Sequence, residues 1–184
     1  VGAADYSFAP SVYQEFHPPK NPLRIRLPLG KLTLQYFRTL LSTPDAELVR
    51  NRDENGKLPI HIAGQANAPV EVLSMLVEMY PAALQIADHT GSLPLHLLCC
   101  NDTMPTEYAS VCYLVEQGGD GILAARNHNG SLPLHNLVAS TNPSLRTVQY
   151  LIQSLPGAVT AQAKDGRYPF MMAACEESSA SSSV

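Results

Sequence analysis

Residues 91–96 and 130–135 spell the same hexapeptide, Gly-Ser-Leu-Pro-Leu-His. Looser copies stand at Gly56 to His61 (GKLPIH) and at Gly166 to Met171 (GRYPFM). From glycine to glycine the four copies lie 35, 39 and 36 residues apart, the range in which a repeat signals a solenoid of helical units. A unit of that length cannot enclose an interior of its own, so its apolar faces must be covered by its neighbours.

Proline gives the hexapeptide its meaning. It has no backbone donor and holds φ near −65°, so it suits the first position of a helix and disrupts the middle of one. Pro59, Pro94, Pro133 and Pro169 therefore predict helix starts. Gly56, Gly91, Gly130 and Gly166, three residues earlier and each preceded by Asn, Thr or Asp, predict tight turns at positive φ. A second helix follows in each complete unit, with apolar residues at helical spacing. They are Val72, Leu73, Leu76 and Met79, then Val111, Leu114 and Val115, then Val148, Leu151, Ile152 and Leu155. Pro81 and Pro156 fall where such helices should stop.

These hexapeptides resemble the ankyrin repeat signature, a turn followed by T-P-L-H-x-A that opens the first of two helices. Leu58 to Ala63, LPIHIA, is the nearest copy. The resemblance implies an all-α fold, an ankyrin-repeat solenoid of stacked helix pairs joined by turns or hairpins. It covers residues 53–177, as about three full repeats and one incomplete. Residues 32–52 are expected to supply a partial first repeat, with one helix over Leu32 to Ser42. Residues 1–31, rich in proline and aromatics, are expected to be an extended arm. Residues 178–184 read as a Ser-rich end, with the natural polypeptide expected to continue beyond it.

The chain departs from the family at several points. Leu58, Leu93, Leu132 and Tyr168 occupy the place of the signature threonine, so packing is expected to replace a polar network. Tyr80-Pro81-Ala82 and Leu155-Pro156-Gly157-Ala158 replace the usual Gly-Ala, which predicts an altered exit from the second helix. About three extra residues near Asn101 to Thr106 predict a bulged loop between helices.

With 45% apolar and 15% charged residues, the composition suits a soluble globular protein. No run approaches the roughly 18 to 20 apolar residues of a membrane span. Cys99, Cys100, Cys112 and Cys175 match neither paired metal-ligand spacing nor a secreted disulfide framework, so reduced thiols inside a cell are expected. The default compartment is cytoplasm or nucleus; an organelle stays open because the first residue is Val1 rather than Met. Residues 1–52 carry seven Lys or Arg against four Asp or Glu, and residues 53–184 five against twelve: a mildly basic arm before an acidic body.

His61, His96 and His135 could suggest a metal site. In a stack, however, they sit one helix-packing distance apart, about 8 to 10 Å, too far to converge on an ion that needs ligands at about 2 Å. They are expected to tie one turn to the next. No nucleophile grouping or phosphate loop stands in a recognisable setting, so neither catalysis nor a cofactor is expected.

The resemblance implies recognition of a protein partner through a concave face, and it assigns contact positions. The turn tips supply Glu54, Asn55, His89, Thr90, His128, Asn129, Lys164 and Asp165. Directly after the glycines come Lys57, Ser92, Ser131 and Arg167. The first helices supply Gln65, Ala66, Cys100, Asn101, Ala139 and Ser140, with Cys175 and Glu176 in the last copy. Asn136 interrupts the row Ile62, Leu97 and Met172, and is expected to face the groove or bond to a neighbouring turn.

The expected function is a non-catalytic adaptor or assembly subunit that docks through its repeats and arm, with neither nucleic acid nor a small-molecule substrate as its ligand. Two alternatives stay open. One is binding of nucleic acid or an anionic surface through the basic stretch 20–38, which holds Lys20, Arg24, Arg26, Lys31 and Arg38. The other is an accessory domain of a larger enzyme.

Overall fold

A computed structural model describes residues 48–101 and 105–175. The arm, the helix expected over residues 32–42, Glu176 and the Ser-rich end lie outside the described residues. Among the described residues there are eight α-helices and no strand. They are α1 (Pro59–Gln65), α2 (Val70–Met79), α3 (Pro94–Cys99), α4 (Tyr108–Gly118), α5 (Asp120–Ala124), α6 (Pro133–Ala139), α7 (Leu145–Ser154) and α8 (Pro169–Cys175). Short 3-10 helices cover Leu48–Arg50, Pro81–Gln85 and Pro156–Thr160. No helix of the described residues is long and apolar enough to cross a membrane.

Each hexapeptide proline is the first residue of its helix: Pro59, Pro94, Pro133 and Pro169. Before each lies a turn whose glycine has positive φ, at 75°, 76°, 73° and 80° in chain order. In three turns one side-chain oxygen organises the loop. Oδ1 of Asp53 accepts the N–H groups of Asn55 and Lys57. Asp88 does the same for Thr90 and Ser92, and Asn127 for Asn129 and Ser131. This is the local competition with helix and sheet for which Asp and Asn are favoured in turns.

The helices that follow the turns pack in a row, α1 on α3, α3 on α6 and α6 on α8. The second helices form a parallel row, α2 on α4 and α4 on α7. Core side chains lie between the rows. Leu58, Leu93 and Leu132, in the signature threonine's place, are among them, as are Leu73, Leu98, Leu114 and Leu137. Full burial of a leucine side chain contributes about 1.5–3 kcal/mol, so packing supplies at these positions what a hydroxyl would not.

The exits from the second helices are a third helical element in each unit rather than a simple loop. Pro81 and Pro156 restart the chain as 3-10 turns, and α5 takes that place in the middle unit. Ala83, Leu84, Ile122, Leu123 and Ala158 from these elements are buried. The connection from α3 to α4 spans residues 100–107, against 66–69 between α1 and α2. Its longer length agrees with the extra residues in the sequence; the conformation at 102–104 lies outside the described residues.

Of two turn glycines, Gly91 is constrained twice and Gly166 once. A Cβ on Gly91 would lie 2.5 Å from Cδ2 of His128 and 2.8 Å from that residue's backbone N, whereas a Cβ on Gly166 would meet nothing within 4 Å. Both have positive φ, where a side chain costs about 1–2 kcal/mol. Gly166→Ala is therefore expected to lose about that much, and Gly91→Ala clearly more, because neighbouring turns must also separate. Paired chemical denaturation curves check this; equal losses would contradict the close approach.

Candidate functional site

The three histidines begin the site because they join the units that carry it. His61, His96 and His135 are each 0% exposed. Nδ1 of each accepts the backbone N–H at its own helix start, from Leu58, Leu93 and Leu132 at 3.2, 3.2 and 3.1 Å. Nε2 of each faces a backbone carbonyl in the following unit, of Ser92, Ser131 and Ala161 at 3.2, 3.1 and 3.1 Å. A backbone N–H can only donate and a carbonyl can only accept, so each ring is neutral with its proton on Nε2. Both nitrogens are thereby committed to backbone. Burial lowers the pKa of all three. The N–H at each helix start is satisfied by the histidine ring.

A second set of bonds ties the turn tips directly. The N–H of His89 donates to the Asn55 carbonyl, that of His128 to Thr90, and that of Lys164 to Asn129, at 3.0, 2.9 and 2.9 Å. Arg52 Nη1 reaches the Ala87 carbonyl in the next turn, and Arg126 Nη1 reaches that of Gln162. The tips therefore form a hydrogen-bonded file, and their side chains are presented in fixed order. Sequence reasoning passed over the two arginines. Their signal is the shared placement directly before Asp53 and Asn127.

Of the positions assigned to contact, Glu54, Asn55, His89, Thr90, His128 and Asn129 are exposed at the tips. So are Lys164, Asp165 and Arg167 in the last turn, and Gln65 and Cys100 on the first helices. Lys57, Ala66 and Ala139 are half-buried, and Lys57 Nζ donates to Gln65 Oε1 at 2.7 Å. Cys175 closes the last helix.

Four assigned positions are covered instead: Ser92, Asn101, Ser131 and Ser140 are 4–6% exposed. The Ser92 hydroxyl pairs with that of Thr90, Asn101 donates to the Gln65 carbonyl, and the Ser140 hydroxyl donates to the Leu137 carbonyl. Ser131 N–H bonds Asn127 and its carbonyl receives His96. Small polar residues here serve the adjoining backbone, whereas the long side chains of Lys57 and Arg167 at the equivalent places extend outward.

The row Ile62, Leu97, Asn136 and Met172 is half-buried throughout. Asn136 Nδ2 donates to the His96 carbonyl at 3.1 Å, so its bond reaches the neighbouring first helix rather than a neighbouring turn. Asn67 is another residue that sequence reasoning missed. At φ 49° it donates to the Pro105 carbonyl and accepts from the Glu107 N–H, clamping two inter-helix loops together.

Asp88 is the buried carboxylate of this region, 5% exposed. Burial opposes its ionisation, but the Thr90 hydroxyl and the N–H groups of Ser92 and Thr90 outweigh it and hold the carboxyl below its usual range. On the opposite side of the helices, Arg146 lies 3.9 Å above the Tyr108 ring, which meets Tyr150 edge-on. At the third and fourth turns a groove of about 450 Å³ opens among His128, Asn129, Lys164, Asp165, Arg167 and Met172. Compared with protein-family models and with curated proteins, the chain matches none.

Proposed function

We propose that this chain is a non-catalytic protein-recognition module of ankyrin type, a solenoid of stacked helix pairs that acts as an adaptor or assembly subunit. The observation that carries this reading is the file of tips joined through Asn55–His89, Thr90–His128 and Asn129–Lys164 backbone bonds. Such a file offers exposed polar side chains on a prearranged frame, and binding to a prearranged surface loses little conformational freedom. The Leu-Pro-Leu-His turns and the serial packing of the first helices support the same reading. The partner is a protein, within a larger assembly that the basic arm helps to join. The free thiols of Cys99 and Cys112 suit a reducing intracellular setting.

The test is photo-crosslinking in native extract. A benzoylphenylalanine placed at Asn55, His89 or Asn129 is expected to yield a discrete protein adduct, and one at Glu116, exposed on the second-helix side, is not. Equal labelling at all positions, or none at the tips, would refute recognition through this face.

A further inference from the structure

From Asp53 onward there are five Lys or Arg against twelve Asp or Glu. Three of the five stand in or directly before the third and fourth turns. Arg126 Nη1 bonds the carbonyls of Gly130 and Gln162, each at 2.6 Å. Lys164 is tied through its backbone to Asn129, and Arg167 donates from Nε to Asp165 Oδ2 at 2.6 Å. The Arg167 N–H also bonds Asp165 Oδ1, so one carboxylate holds both ends of the residue. The groove described above opens beside Lys164 and Arg167, with half-buried Met172 on its lining. Basic residues thus concentrate at one end of a body that is otherwise acidic.

We propose that this groove holds an acidic stretch of the partner protein, with a carboxylate between Lys164 and Arg167 and an adjoining apolar side chain on Met172. This rests on the protein-recognition reading and names the chemistry of the partner. Arg167 presents an already oriented planar head group, the form of cation that matches a carboxylate. The size of the groove suits a few side chains. Nucleic acid is the poorer fit, since its continuous line of phosphates would also cross the rest of an acidic body.

Fluorescence anisotropy with the full chain tests the proposal, using labelled Glu-Leu-Glu-Glu-Leu-Glu and its Gln-for-Glu counterpart. The acidic peptide is expected to bind about tenfold tighter, and Lys164→Glu with Arg167→Glu to remove that preference. Asp165→Asn retains the oxygen that orders the turn while deleting the competing charge, so it should tighten binding. Arg146→Glu, a single charge reversal on the second-helix side, should leave binding as it is. Equal binding of both peptides, indifference to the paired reversal, or preferential binding of an oligonucleotide that the reversal abolishes would each overturn the assignment. Crosslinking separates the two levels. Adducts at Asn55 without any acidic-peptide binding remove only the groove's occupant, whereas no adduct at any tip removes the recognition function itself.

Discussion

Acidifying the protein from pH 7.5 to pH 5 is expected to lower its melting temperature steeply, with the loss beginning near pH 6.5. The cause is the row His61, His96 and His135, whose pKa values all lie below the ordinary 6.5 because burial disfavours the imidazolium. The native state keeps the rings neutral while the unfolded chain takes up protons below about pH 6.5. The unfolded state then binds more protons, so stability rises with pH across that window and falls as acid is added. Within the window each ring contributes a slope approaching about 1.4 kcal/mol per pH unit. The stabilisation is complete above about 6.5 and is lost as pH falls through the native values.

The charged neighbours modulate this dependence without reversing it. Asp88 favours the charged form of His61, where Arg52 opposes it. Asp88 also favours charging of His96, against His135. For His135, Arg126 opposes protonation and Asp165 favours it. A proton on Nδ1 would also face the N–H of Leu58, Leu93 or Leu132, so charging costs the helix-start bond as well as desolvation. Asp88, with its depressed pKa, adds a separate loss only below the ordinary 3.8. Melts followed by circular dichroism at half-unit pH intervals check this. A melting temperature constant from pH 7.5 to 5 would remove the buried-neutral account of the row.

Much of the local frame was legible because proline and glycine act through the backbone and need no knowledge of the tertiary fold. Pro59, Pro94, Pro133 and Pro169 mark helix starts, and Gly56, Gly91, Gly130 and Gly166 mark positive φ, in sequence and structure alike. Apolar spacing likewise located Val72, Leu73, Val111 and Leu114 in the core. What spacing did not reveal depends on the neighbouring unit. Ser92 and Ser131 stand one residue past a turn glycine, as Lys57 and Arg167 do, yet the serines are covered and Arg167 is exposed. The third helical element also escaped notice, since Pro81 and Pro156 read as stops and only tertiary packing of Leu84 and Ala158 shows them to be restarts. In the groove, Lys164 and Arg167 were each legible as exposed, but the bond from Arg126 to the Gln162 carbonyl, 36 residues on, that ties the third turn to the fourth follows only from stacking.

Replacing the middle ring of the row gives the sharpest test of how the units are joined. His96→Leu keeps a similar volume in a fully buried place but can neither accept nor donate. The N–H of Leu93 then loses its acceptor in the core, and an unpaired buried donor costs about 1–3 kcal/mol. The Ser131 carbonyl loses one of two bonds but keeps that from the Asn127 N–H, so its loss is smaller, about 1 kcal/mol. Together these predict a destabilisation of about 2–4 kcal/mol at pH 7.5. A packing defect alone would give the same loss at every pH, whereas removal of a titrating ring would not. In acid the wild type surrenders part of its advantage as the unfolded state binds a proton at position 96, and the variant has no such proton to gain there. The gap between the two proteins should therefore be widest at pH 7.5 and narrow steadily towards pH 5, as read from urea denaturation at matched pH. A gap that stays constant across that range would show that His96 takes up a proton as readily in the native state as in the unfolded one, against the burial of a neutral ring at this position.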